Sequence, residues 1–128
     1  MSSLTKTRCE RAWALALPLM VLVAYLPALK GGFVWDDDAW TTNITHLTGD
    51  LHGLLKMWSS PTALQQYYPL TGATFWLDHQ LWGAWTLPYH LENVFLHAAA
   101  VLLFRRLLEK LEVPGAWLAA GILALHPM

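Results

Sequence analysis

The sequence predicts an all-α, multi-pass membrane protein, with three transmembrane helices and a long, helical, Trp-rich extracytoplasmic first loop. Three observations carry that expectation. Hydrophobic residues make up 55% of the 128 and charged residues only 13%, against roughly a quarter charged in an ordinary soluble domain. The apolar residues are gathered into blocks rather than spread at a helical period. Most of the eight Trp residues fall between the blocks. The net charge of −1 gives no electrostatic footprint for nucleic acid. The single Cys9 permits no internal disulfide and does not report on redox compartment.

The elements follow in order. Residues 1–11 carry Lys6, Arg8 and Arg11 and read as a cytoplasmic N-terminus. Residues 12–30 form the first expected membrane helix: AWALALPLMVLVAYLPAL has no charge, and at about 1.5 Å per residue it covers roughly 27 Å of a core about 30 Å thick. Residues 31–88 form the outer loop. Residues 89–108 form a second membrane helix, polar at its start and apolar at its end, and 109–113 form a cytoplasmic turn. Residues 114–128 begin a third membrane helix through Pro114-Gly115 and stop partway, so the chain reads as truncated.

Lysine and arginine placement sets the expected orientation. Arg105, Arg106 and Lys110 follow the second block, whereas the loop holds only Lys56 against Asp36, Asp37, Asp38, Asp50 and Asp78. The positive-inside rule then puts the N-terminus and the 109–113 turn in the cytoplasm and the loop outside. A cleaved signal peptide is the rival reading of the first thirty residues, but no small-x-small site follows the apolar run.

The loop is no flexible linker. It carries Trp35, Trp40, Trp58, Trp76, Trp82 and Trp85, a residue type that concentrates at membrane–water interfaces. LHGLLKMW and PLTGATFWLDHQLWG read as short helices with one apolar face against a membrane surface. In the second, Phe75, Leu77, Leu81 and Trp82 would face the lipid, and Asp78, His79 and Gln80 the water.

FVWDDDAW, residues 33–40, sets three carboxylates among bulky apolar side chains. Low local dielectric and like charge both disfavour ionisation, so one carboxyl is expected to titrate high and to serve as a base for an acceptor hydroxyl. A solvated acidic stretch is the plain alternative. In the second block, His90, Asn93 and His97 share a stripe with Glu92 beside it. His90 and His97 lie about 10 Å apart along a helix, too far for one zinc ion with bonds of about 2 Å. Hydrogen bonds between helices are the expected role of these histidines. A divalent metal shared with the Asp cluster is left open without a ligand set to carry it. With the expected topology, the Asp cluster, Glu92 and His126 converge on the outer face. Asn43-Ile44-Thr45 matches a glycosylation sequon, a pattern frequent by chance.

Four ordered stretches then resemble one family: FVWDDDAW, YYPLTGATFWLDHQLWG, PYHLENVFLHAAAVLLF and PGAWLAAGILALHPM. They are similar to the N-terminal part of the GT-C membrane glycosyltransferases of the transmembrane and tetratricopeptide-repeat O-mannosyltransferase type and their bacterial relatives. The resemblance implies an integral, multi-pass protein of a bacterial inner membrane. It also implies transfer of a mannose-like sugar from a polyprenyl-phosphate donor to a Ser/Thr or other hydroxyl of a protein or glycan acceptor, with the lipid bilayer as a further partner. It implies Asp36 and Asp37 as catalytic carboxylates and Asp38, Tyr68, Pro69, Thr71, Glu92 and His126 as substrate-binding residues. The chain departs from the bacterial pattern at Asn43-Ile44 and at Tyr68. No cofactor is identified, and a chain ending at Met128 is expected to be inactive alone. A non-catalytic membrane scaffold or partner-binding protein is the alternative function.

Overall fold

The computed structural model describes residues 15–34, 37, 41 and 49–127. Outside these lie the expected cytoplasmic segment 1–11, the carboxylates Asp36 and Asp38, and the sequon at 43–45. Among the described residues every regular element is a helix. Residues 15–25 form α1, and Ala28–Lys30 form a 3-10 turn. Leu51–Ser59 is α2, Pro69–Trp82 is α3, Thr86–Lys110 is α4 and Ala116–Leu125 is α5. The chain divides into two compact units, one of residues 31–89 and the other of residues 1–30 with 90–128.

The expected three transmembrane helices, and with them the integral multi-pass placement, are overturned. Among the described residues no helix is long and apolar enough to cross a membrane. In the first block the helical backbone ends at residue 25, just before Pro27, which lacks the N–H that a further turn needs. The described part, residues 15–25, spans about 16 Å, and α5 with ten residues about 15 Å, against roughly 30 Å of hydrocarbon. Helix α4 has the length, with 25 residues, but not the composition. His90, Glu92, Asn93 and His97 occupy its first half and Arg105, Arg106, Glu109 and Lys110 its last turns, leaving residues 98–104 as its uninterrupted apolar stretch.

In the unit of residues 1–30 and 90–128, Leu17 and Val21 of α1, Val94 and Val101 of α4, and Ala120 and Ala124 of α5 form the buried core. The i, i+4 and i, i+7 spacings put each set on one helical face. Arg105 joins α4 to α5. Its guanidinium lies 3.9 Å from the centroid of the Trp117 ring, and it donates to Glu109 through Nε at 2.8 Å and Nη2 at 3.0 Å. The Arg105 side chain is only 12% exposed, so this cation–π contact is better sheltered than a surface one. At Gly121 an added Cβ would meet Met20 Cε at an ordinary 3.7 Å. Gly121→Ala is therefore expected to raise stability by about 0.5–1 kcal/mol through the lower backbone entropy of alanine, read as a higher thermal midpoint.

The unit of residues 31–89 is built from capped short helices. Asp50 caps α2 by accepting the Gly53 N–H at 3.1 Å, a bond that satisfies one otherwise orphaned donor. Pro69 opens α3, where its missing N–H costs nothing. Gly83 closes α3 at φ 59°, ψ −127°, backbone that disfavours a Cβ. Met57 is fully buried, and a Cβ on Gly72 would lie 2.9 Å from Leu64 Cδ1 and 3.0 Å from Met57 Sδ. The bare glycine is what lets α3 approach α2 this closely.

The inward face of α3 centres on Gly72. Gly72 is buried and Phe75, Asp78 and His79 are half-buried, whereas Leu77, Leu81 and Trp82 are exposed. The close approach at Gly72 fixes the rotation of the helix, and residues 75 and 79 follow at i+3 and i+7 on the same side.

Candidate functional site: an acidic turn held by aromatic packing

Of the three consecutive carboxylates, Asp37 is described. Its backbone is helical. Oδ2 accepts the Val34 N–H at 3.0 Å, while its own N–H donates to the Val34 carbonyl at 3.3 Å. The side-chain bond has the form of one half of a capping box, an acidic side chain reaching back three residues to a backbone N–H. Thr41 Oγ1 donates to the Asp37 carbonyl at 2.9 Å, one turn on. The carboxylate is thus tied to the Val34 backbone by one short-range bond.

The segment before it is also anchored. The Thr86 hydroxyl donates to the Gly31 carbonyl at 3.0 Å. The Phe33 ring meets Tyr89 edge-to-face, with centroids 5.2 Å apart and planes at 83°. Tyr89 is 4% exposed; its hydroxyl donates to the Gly83 carbonyl at 2.9 Å, and its ring stacks with Phe75 at 6.1 Å. Burial, and secondarily the nearby Asp78 charge, push the Tyr89 phenol above its usual value, so at neutral pH it stays a hydrogen-bond donor. Sequence reasoning passed over Thr86 and Tyr89. Their i, i+3 spacing at a helix start was the available signal.

The other expected site residues fall as follows. Exposed Tyr68 immediately precedes α3, Pro69 is its first residue and Thr71 lies in its first turn. Their backbone is ordered by Gly72 N–H donating to the Tyr68 carbonyl and Thr74 Oγ1 to the Thr71 carbonyl, each at 2.9 Å. Glu92, half-buried on α4, and His126, exposed at the end of α5, belong to the other unit. The His126 carbonyl accepts the Tyr25 hydroxyl.

The expected polar stripe of α4 turns differently. Val94, His97 and Val101 are buried, His90 is half-buried and Asn93 is exposed. His97, 8% exposed, packs edge-on to Tyr25 with ring centroids 5.4 Å apart. Its Nε2 has no hydrogen-bond partner, so a ring contact stands where an interhelical hydrogen bond was expected for that atom. Among the described residues no group of three His, Cys, Asp or Glu side chains gathers to hold a metal.

No protein-family model matches the chain, and no solved structure does either. Curated relatives do. It is 32% identical over 128 residues to a protein of Caenorhabditis elegans named Protein O-mannosyl-transferase F38B6.6, covering 89% of this chain and 18% of that protein. It is 35% identical over 119 residues to Protein O-mannosyl-transferase TMTC2 of Mus musculus, and 34% identical to the Homo sapiens protein of the same name, each match covering 84% of this chain and 14% of the relative. The chain therefore spans less than a fifth of the length of these relatives. Along most of its own length, acidic turn and aromatic clamp included, it is similar to proteins named as protein O-mannosyl-transferases.

Proposed function

We propose that this chain carries the acceptor-activating segment of a protein O-mannosyltransferase that takes its sugar from a polyprenyl-phosphate-linked donor. The observation that carries this reading is the similarity, over 84–89% of the chain, to relatives named as protein O-mannosyl-transferases; the lipid-linked donor is our addition to it. In it, Asp36 and Asp37 are the catalytic carboxylates. One of them takes the proton of a Ser or Thr hydroxyl as the oxygen attacks the anomeric carbon, and the bond to the lipid phosphate breaks with its electron pair leaving on the phosphate. Attack opposite the leaving group inverts the anomeric centre. General-base assistance of this kind contributes roughly 10²–10⁴-fold. Asp37 suits the role because Oδ2 is held by the Val34 N–H, which restricts the carboxylate to one orientation. Asp38 adds negative charge beside the pair, and Tyr68, Pro69 and Thr71 shape the pocket for the sugar and the acceptor.

The test is product formation. The full-length gene product, given polyprenyl-phosphate mannose and a Ser/Thr-containing peptide, is expected to add one hexose to a hydroxyl of the peptide. Hexose transfer from a nucleotide-sugar alone, with the lipid donor inert, would sink the donor assignment. No transfer from either donor would sink the reading as an enzyme.

A further inference from the structure

We infer that Tyr89, with Thr86, is a positioning residue for the Asp37 carboxylate, acting through the backbone of residues 31–34. The inference rests on the reading of Asp37 as a base, and it adds what places that base. Thr86 and Tyr89 stand at i and i+3 on the first turn of α4, so they share one face. From that face the Thr86 hydroxyl bonds the Gly31 carbonyl at 3.0 Å, and the Tyr89 ring meets Phe33 at 5.2 Å. The next residue, Val34, donates its N–H to the Asp37 carboxylate and accepts the Asp37 N–H at its carbonyl. The chain is therefore pinned at residues 31 and 33, immediately before the residue that orients the carboxylate.

Tyr89 can act as such an anchor because it is itself immobilised. Its ring is backed by Phe75 of α3, and its hydroxyl ends on the carbonyl of Gly83, whose left-handed backbone fixes the turn between α3 and α4. An aromatic pair of this geometry is worth about 0.5–1.5 kcal/mol beyond its buried area. That is small against the stability of a fold but large against the freedom of a short irregular segment. A base displaced by an ångström can cost up to about a hundredfold in rate.

The experiment compares Tyr89→Phe, Tyr89→Leu and Asp37→Asn, singly and as Asp37→Asn with Tyr89→Leu, in the full-length gene product. The probes are polyprenyl-phosphate mannose and a Ser/Thr peptide, with hydrogen exchange of residues 32–37 read in parallel. Tyr89→Phe keeps the ring contacts and is expected to hold kcat within about threefold. Tyr89→Leu is expected to lower kcat about tenfold or more, with the acceptor KM within about twofold, and to speed exchange of the Val34 amide about tenfold. In the double variant the two losses should not multiply, because a base that is absent cannot be misplaced. Full multiplication of the losses, or unchanged exchange in Tyr89→Leu, would overturn the inference. Should Asp37→Asn retain wild-type turnover, the base assignment fails by itself and exchange alone decides the anchoring. If Tyr89→Leu does not accumulate, Thr86→Val removes only the hydroxyl. It is expected to lower kcat about threefold with faster exchange; wild-type values for both would again overturn it.

Discussion

Asp37→Asn is expected to lower mannose transfer by roughly 10²–10⁴-fold, the range for loss of a positioned general base, while leaving the fold intact. The asparagine Oδ1 is still an acceptor, so the bond from the Val34 N–H, 3.0 Å in the native protein, can persist. What disappears is the negative charge able to take a proton. Asp37→Ala removes both functions. It should match Asp37→Asn in rate and, in addition, cost about 1 kcal/mol of stability through the lost cap. Turnover and thermal midpoint measured on both variants separate the two roles. A role confined to capping would leave Asp37→Asn near wild-type turnover and put the entire effect into Asp37→Ala.

Met57→Ala is expected to cost about 2–5 kcal/mol, the range for truncating a fully buried side chain in a close-packed interior. In a domain of 60–100 residues each kcal/mol moves the thermal midpoint by roughly 4–8 °C, so a fall of about 8 °C or more should be measured. The side chain has no exposed surface, and its sulfur lies where it would crowd any Cβ on Gly72. The effect should also reach the site. Gly72 is one turn from Phe75, which backs Tyr89, and Tyr89 in turn holds Phe33. Met57→Leu, close in volume, should cost less than about 1.5 kcal/mol; an equal loss in the two variants would show that the packing argument is wrong.

The helical character of the chain was legible from its punctuation. Asp50 before α2, Pro69 at the start of α3, Gly83 at its end and Pro114-Gly115 before α5 mark boundaries through backbone chemistry that survives in the folded state. The membrane reading failed because it weighed composition without asking where each helix ends. The apolar surplus is real: Leu15 and Leu19 of α1 and Leu118 and Ile122 of α5 are exposed large side chains. It is carried on helices of eleven and ten described residues, and the one long helix is interrupted by His90, Glu92, Asn93 and His97.

For the site, the acidic run was legible because three adjacent carboxylates among aromatics are conspicuous on any reading. The bond between Asp37 and Val34 was not. Valine has no side chain able to cap, so the three-residue spacing that defines a capping box carried no alert. Tyr89 offered only its i, i+3 spacing from Thr86: its partners Phe33, Phe75 and Gly83 are 56, 14 and 6 residues away in sequence, and that spacing does not encode them. Which face of α3 turns inward had no apolar signal: Leu77, Leu81 and Trp82 are exposed. A glycine, which no apolar pattern highlights, determined the rotation.

The most direct measurement is the rate at which the full-length gene product carrying both Asp36→Asn and Asp37→Asn moves mannose from its polyprenyl phosphate onto a Ser/Thr peptide, compared with the unaltered protein at equal folded concentration. The expected rate is below about 1% of the unaltered one, the least that removal of a general base implies. A doubly neutral turn that still transfers mannose at the native rate would contradict the account.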